Sequence, residues 1–122
     1  MRAYRKRSRL DENSAPPFSL LLNEWWDSRK SELAKLNRLQ LERRLDELNL
    51  PIPPSDVSPS MRNLWMRLRI ARAEQIIFHE ERGVAVPTSM ILISHSMDEH
   101  PGLLPPWSVN IFYGAKEENL DR

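Results

Sequence analysis

Cysteine is absent from the 122 residues of this chain. Its absence excludes disulfide bonds, thiol chemistry and metal sites built from thiolates. No apolar run approaches the ~20 residues that a membrane-spanning helix needs, so we expect no membrane association. The basic start is followed by acidic residues and prolines rather than by an apolar segment. We therefore expect no signal peptide and an intracellular location, either cytoplasmic or nuclear.

Sequence signatures of enzymes are also missing. The chain has three glycines, none of them in a phosphate-binding loop, and it has neither a nucleophile elbow nor a pair of carboxylates on strands. Two histidines and two carboxylates fall in residues 95–106, but their spacing matches neither H-E-x-x-H nor H-x-x-E-H, and we predict a loop there. We therefore predict no catalytic residues, no cofactor and no metal.

The composition is that of an ordinary globular protein, with 40% hydrophobic residues, 29% charged residues and a mean hydropathy of -0.57. A chain of this length forms one domain. The net charge is only +1, but the start of the chain is positive and its end is negative. We predict a flexible basic arm over residues 1–14, a single domain over residues 15–113 and an acidic tail over residues 114–122.

The arm carries five cations before its first acidic residue. Basic residues contact phosphates with salt-dependent affinity, and Tyr4 adds a stacking face. We predict that the arm contacts a polyanion, which makes nucleic acid one candidate partner, or an acidic surface; the alternative is a solubilising tail. The cations of the arm are Arg2, Arg5, Lys6, Arg7 and Arg9.

The spacing of the apolar side chains in residues 58–83 predicts one long helix with two apolar stripes. An ordinary surface helix needs only one stripe, so this helix either forms the middle layer of the domain or is shared between subunits. Met66, Ile70 and Ile77 lie on the second stripe, and we predict that they contribute to a partner interface.

The same helix carries a row of basic residues at Arg62, Arg69 and Arg72. We predict that this row continues the polyanion contacts of the arm. The alternative is that the long arginine stems cover the apolar stripes while their charged ends reach water.

Residues 15–48 predict a second helical segment whose apolar face changes near Asn37. We expect one long helix that packs against different neighbours at its two ends, rather than a helix broken at Asn37. Trp25 and Trp26 point about 100° apart on it, so one is a core residue and the other lies at an edge where it can anchor a partner. The proline-rich linker 49–57 lets the two helices fold back as an αα-hairpin.

Two later segments predict strands. Residues 84–94 are apolar and β-branched, and residues 107–113 alternate between apolar and polar side chains. The predicted fold is therefore α+β and mainly α: two long helices as an αα-hairpin, with a C-terminal two-stranded β-hairpin packed on them.

These features favour a non-catalytic interaction or adaptor protein that docks a protein partner, or oligomerises with itself, through its tryptophan-bearing helices. Two alternatives stay open. One is a structural or assembly subunit of a viral particle or a large complex, and the other is a small nucleic-acid-binding module.

Overall fold

A computed structural model of the protein describes residues 17–104, which form four helices. Helix α1 spans Phe18–Lys35, α2 spans Arg38–Glu47, α3 spans Pro59–Glu81 and α4 spans Thr88–Glu99. Each of the other three helices packs on α3, which makes α3 the centre of the fold. The predicted arm 1–14, the predicted strand 107–113 and the predicted tail 114–122 lie outside the described residues.

Helix α3 is buried on nearly every side. Trp65, Met66, Leu68 and Ile70 are all 0% exposed, which is typical of a helix whose apolar residues cover its whole circumference. The elements that cover α3 come from within the chain. They contribute Leu33 from α1, Leu41 and Leu45 from α2, and Ile93 and Met97 from α4 to one hydrophobic core.

The predicted C-terminal β-hairpin is wrong, and so is the α+β fold class. Residues 17–104 contain no strand, and Thr88–Glu99 forms α4. A short apolar run does not distinguish a strand from a buried helix, and here Ile93 and Met97, four residues apart, face the core. Pro87 lies just before the helix, where its missing N–H costs no hydrogen bond.

The predicted loop 95–106 is also partly helical, because α4 continues to Glu99. Nε2 of His95 lies 3.4 Å from Oε2 of Glu99, one helical turn later, and both side chains are well exposed. No helix among residues 17–104 has the length and the apolarity that crossing a membrane requires.

The first helical segment is broken near Asn37, contrary to the single long helix that we expected. Leu36 is extended, with φ −74° and ψ 139°, and Asn37 caps α2. The Asn37 side chain accepts from the Gln40 backbone N–H while the Gln40 side chain accepts from the Asn37 backbone N–H, both at 2.9 Å. This reciprocal capping box starts a new helix. With α4, residues 17–104 therefore contain four helices where we expected an αα-hairpin of two.

The linker between α2 and α3 is in contact with the first turn of α3 and with the segment that follows α4. Arg62 donates hydrogen bonds to the carbonyl oxygens of Pro53, Pro54 and Val57, at 3.1, 2.7 and 3.2 Å. Gly102, which follows α4, approaches so closely that a Cβ there would lie 2.7 Å from a methyl carbon of Val57. The proline-rich linker is therefore a packed part of the fold.

We expect Leu68→Ala to lower the free energy of unfolding by about 2–5 kcal/mol, because it opens a cavity in the core next to α3. Leu39→Ala is the matched control, since Leu39 is also helical but 70% exposed, and it should change stability by no more than about 0.5 kcal/mol. Urea unfolding of the three proteins checks this. Equal losses for the two variants would contradict a core centred on α3.

Candidate functional site

An open cleft with a volume of about 240 Å³ lies where α1, α2 and α3 meet. Helix α1 lines it with Trp25 and Arg29, one turn apart, and α2 lines it with Arg44. The α3 side of the cleft consists of residues at spacings of three and four, which share one face of a helix. They are Glu74, Ile77, Phe78 and Glu81.

The polar floor of the cleft is a buried carboxylate shared by two arginines. Glu74 is 6% exposed. Arg29 donates to both of its carboxylate oxygens, at 2.6 and 2.8 Å, and Arg44 Nε donates to Oε2 at 2.8 Å. A buried charge is tolerated only when it is paired and hydrogen-bonded. Glu74 therefore ties α1 and α2 to α3 through charge-assisted hydrogen bonds, which are stronger than neutral ones.

These contacts keep Glu74 ionised. Burial raises the pKa of the Glu74 carboxyl, but the hydrogen bonds and charges of Arg29 and Arg44 outweigh that effect and hold its pKa below the ordinary value. The hydrogen bond to Glu74 is the main reason why the pKa of Arg29 is raised. Burial lowers the pKa of Arg44, but its bonds to Glu74 and Glu47 outweigh burial and raise it. The floor is thus a fixed array of three charges.

The rim of the cleft is acidic. Glu32 and Glu47 accept from the outer nitrogens of Arg29 and Arg44, at 3.0 and 3.1 Å, and their side chains are 60% and 54% exposed. Ion pairs at this exposure contribute little to stability, so both carboxylates can exchange partners. Glu81, 67% exposed, adds a third carboxylate to the rim, and its Oε1 lies 3.6 Å from Nη1 of Arg82.

The apolar wall of the cleft is aromatic. The Trp25 ring lies 5.0 Å from the ring of Phe78, and the Arg82 guanidinium lies 3.4 Å from the centre of the Phe78 ring. Phe78 is buried, whereas Trp25 and Ile77 are half-buried. The solvent-facing part of the wall is therefore the Trp25 indole, a residue type enriched where proteins bind one another.

The predicted interface residues fall into two groups. Trp25 and Ile77 line the cleft, whereas Trp26 packs against the core, with its ring 6.1 Å from the ring of Trp25. Met66 and Ile70 are 0% exposed and packed within the chain. This part of the second stripe of α3 is thus covered by residues of the same chain, whereas Ile77 of the same stripe remains at the cleft. Met66 and Ile70 offer no accessible surface for the partner contact that we predicted for them.

The predicted basic row on α3 is not an exposed patch. Arg62 is 2% exposed and bound to the linker carbonyls, and Arg69 is 5% exposed and donates to both oxygens of Asp98, at 2.6 and 2.9 Å. Arg72 is half-buried, and burial lowers its pKa. Neither interpretation of this row describes Arg62 and Arg69, because their charged ends contact protein atoms rather than phosphate or water. The five cations of the arm lie outside the described residues.

The residues that build the floor leave little trace in the sequence. No pattern distinguishes Arg29, and Arg44 belongs to a stretch of mixed charge that looks like an ordinary solvated face. Glu74 was the one available signal, because it is the only acidic residue of α3 before the last turn of the helix. Within residues 17–104, no group of three or more histidines or carboxylates is placed to hold a metal ion.

Comparison of the chain with protein-family models, with curated proteins and with solved structures finds no match. The function of the cleft therefore has to be argued from its own geometry.

We expect Glu74→Gln to lower the free energy of unfolding by about 2–3 kcal/mol at pH 7, because it leaves Arg29 and Arg44 without their shared charge. Glu32→Gln, the matched control at the exposed rim, should cost no more than about 1 kcal/mol. Chemical unfolding at pH 7 measures both effects.

The effect of Glu74→Gln should also depend on pH. Because the folded-state pKa of Glu74 is lowered, its contribution is fully present above the ordinary pKa of 4.5 and is lost as the pH falls through the folded value. The stability gap between the wild type and Glu74→Gln should therefore narrow below pH 4.5. A gap that stays constant or widens on acidification would contradict the role assigned to the Glu74 carboxylate.

Proposed function

We propose that this protein is a non-catalytic interaction protein that docks a segment of a partner protein in the cleft between α1, α2 and α3. The observation that carries the proposal is the half-exposed Trp25 indole, which stands over a floor already fixed by Arg29, Arg44 and Glu74. A surface that is ordered before binding loses little conformational freedom when a partner arrives.

The size of the cleft favours a side chain over a cofactor. Pockets for drug-sized ligands and cofactors have volumes of ~300–1,000 Å³, and this cleft, at about 240 Å³, is smaller. One large apolar side chain from a partner is the kind of group that it accommodates. In interfaces such single buried side chains provide a large share of the binding energy.

The charges around the cleft favour a basic partner segment. Glu32, Glu47 and Glu81 present exposed carboxylates at the rim, each held only by an ion pair near the surface. Such pairs contribute little to stability, so a cation of the partner can replace the arginine in each of them. A segment with an aromatic or large aliphatic residue next to Lys or Arg would place its apolar group on Trp25 and its cation on the rim. Complementary charge of this kind supports specificity and association rate.

The other two functions that the sequence left open receive less support. A nucleic-acid-binding module would use the arginines of α3, but Arg62 and Arg69 are bound inside the fold. An assembly subunit would use the second stripe of α3, but Met66 and Ile70 are covered by the chain itself.

Selection of a displayed random peptide library on the full-length protein tests the proposal. We expect the enriched peptides to share an aromatic or large aliphatic residue beside Lys or Arg. Trp25→Ala should weaken their binding at least about tenfold, the scale of a moderate hot spot. Calorimetry with synthetic versions of these peptides gives the affinities.

Leu92→Ala is the control variant, because Leu92 is an exposed apolar residue of α4, 62% exposed, that does not line the cleft. It should leave peptide affinity unchanged, and circular dichroism should show that both variants are folded. The proposal fails if no peptide is enriched, or if the enriched peptides bind folded Trp25→Ala as tightly as the wild type.

A further inference from the structure

The N-terminal arm joins the described part of the chain beside the cleft. Helix α1 starts at Phe18, whose ring lies 5.6 Å from the ring of Phe78, a residue of the cleft wall. Trp25 follows Phe18 by seven residues, or about 10 Å along the helix axis. The residues before Pro17 therefore emerge within a short distance of the Trp25 indole.

Acidic side chains outnumber basic ones at the most exposed positions of the four-helix body, although residues 17–104 as a whole carry 12 acidic and 11 basic side chains. Between residues 17 and 104, nine acidic residues but only four basic residues are exposed. The arm has the opposite charge, with five cations in its first nine residues. The exposed basic residues are Lys35, Arg38, Arg43 and Arg82, and the exposed acidic residues are Glu24, Asp27, Glu32, Asp46, Glu47, Asp56, Glu80, Glu81 and Glu99.

We propose that the arm, residues 1–14, folds back and occupies the cleft of its own chain. Tyr4 supplies the aromatic group for the Trp25 wall, and the cations on either side of it, among them Arg2 and Arg5, pair with the rim carboxylates. The sequence R-A-Y-R-K-R of the arm has the chemistry that the cleft favours, an aromatic residue among cations. The inference rests on the proposed function only in treating the cleft as a docking surface for such a segment.

The connection is long enough for this arrangement. Tyr4 precedes Pro17 by 13 residues, which span up to about 43 Å when extended, several times the distance from Phe18 to Trp25. A short tether of this kind gives an effective local concentration in the ~mM range. Contacts that are weak between separate molecules are therefore sufficient within one chain.

Occupation by the arm has a functional consequence. A partner that docks in the cleft has to displace the arm, so the arm lowers the apparent affinity of every partner and favours those that carry the same chemistry more completely. The contact is largely electrostatic and lies at the surface, so salt should weaken it.

The absence of cysteine makes a direct test straightforward. Ser8→Cys in the full chain gives one attachment point for a nitroxide spin label, which broadens the NMR signals of nearby amides. We expect strong broadening at Ile77 and Glu81 of the cleft, and little at Met61, which lies about 24 Å from Ile77 along the α3 axis.

A free arm also passes near its point of attachment, so the decisive comparison uses a second labelled protein with the arm charges reversed, R5E/K6E/R7E. Broadening at Ile77 and Glu81 should be several-fold stronger in the wild-type arm than in the reversed arm. It should also fall in high salt and with Tyr4→Ala. Equal broadening in the wild-type and reversed arms would overturn the inference.

Two further outcomes would overturn it. Broadening centred on a different surface would place the arm elsewhere. In a mixture of an isotope-labelled chain without nitroxide and a spin-labelled chain without isotope, broadening of the NMR signals would assign the contact to a second copy.

Peptide affinity separates this inference from the proposed function. If both hold, the R5E/K6E/R7E protein binds the selected peptides about tenfold or more tightly than the wild type, because the cleft is free. If the cleft docks peptides but the arm does not occupy it, the two proteins bind them equally and Trp25→Ala still weakens binding at least about tenfold. If Trp25→Ala binds the peptides as tightly as the wild type, but the spin-labelled arm still broadens the signals of Ile77 and Glu81, the proposed partner function fails and the arm contact stands.

Discussion

The buried carboxylate of Glu74 determines how three helices are arranged. Removing an ionised group from water is costly, and that cost is offset here by three charge-assisted hydrogen bonds from Arg29 and Arg44. Such an arrangement adds little net stability compared with apolar packing, but it is satisfied in only one relative position of the helices. The shape of the cleft follows from it, since the same three side chains form the floor.

Three arginines of α3 also bond to polar groups of the neighbouring elements. Arg62 binds the carbonyls of the linker, Arg67 donates to the carbonyls of Leu33 and Leu36 at the end of α1, and Arg69 binds Asp98 of α4. A helix with neighbours on all sides has no solvent face on which to place long cationic side chains. Their stems run along the packed surface, and their guanidinium groups bond to the polar ends of the neighbouring elements.

The sequence predicted those features that depend on local pattern. The extent of α3 and its need for cover on two sides followed from helical periodicity and from the flanking proline and glycine. Helix α4 was missed because the apolar run around Ile93 fits a strand as well as a buried helix, and only packing against α3 decides between them. The break before Asn37 runs against our expectation of one long helix, although the capping pair Asn37 and Gln40 is a local signal that favours it.

The candidate site was less accessible from sequence. Trp25 was identified as an interface residue, but its partner residues were not, because Arg29 lies 45 residues and Arg44 lies 30 residues from Glu74. Pairing over such separations leaves no periodic trace. The arginines of α3 looked like a surface patch for the same reason, since the carbonyls and the carboxylate that bind them come from the linker, from α1 and from α4.

Helix α1 has one fully buried residue, Leu33, which lies in its last turn. The rest of the helix is held by half-buried aromatic contacts and by the Arg29 bonds. Segments with so few buried contacts open locally at a free energy well below that of global unfolding, and their amide hydrogens exchange through that opening. We therefore expect the Trp25 wall to belong to a helix that opens readily, and any group that fills the cleft adds its binding free energy to the stability of α1. Filling the cleft would then show as slower hydrogen exchange along α1.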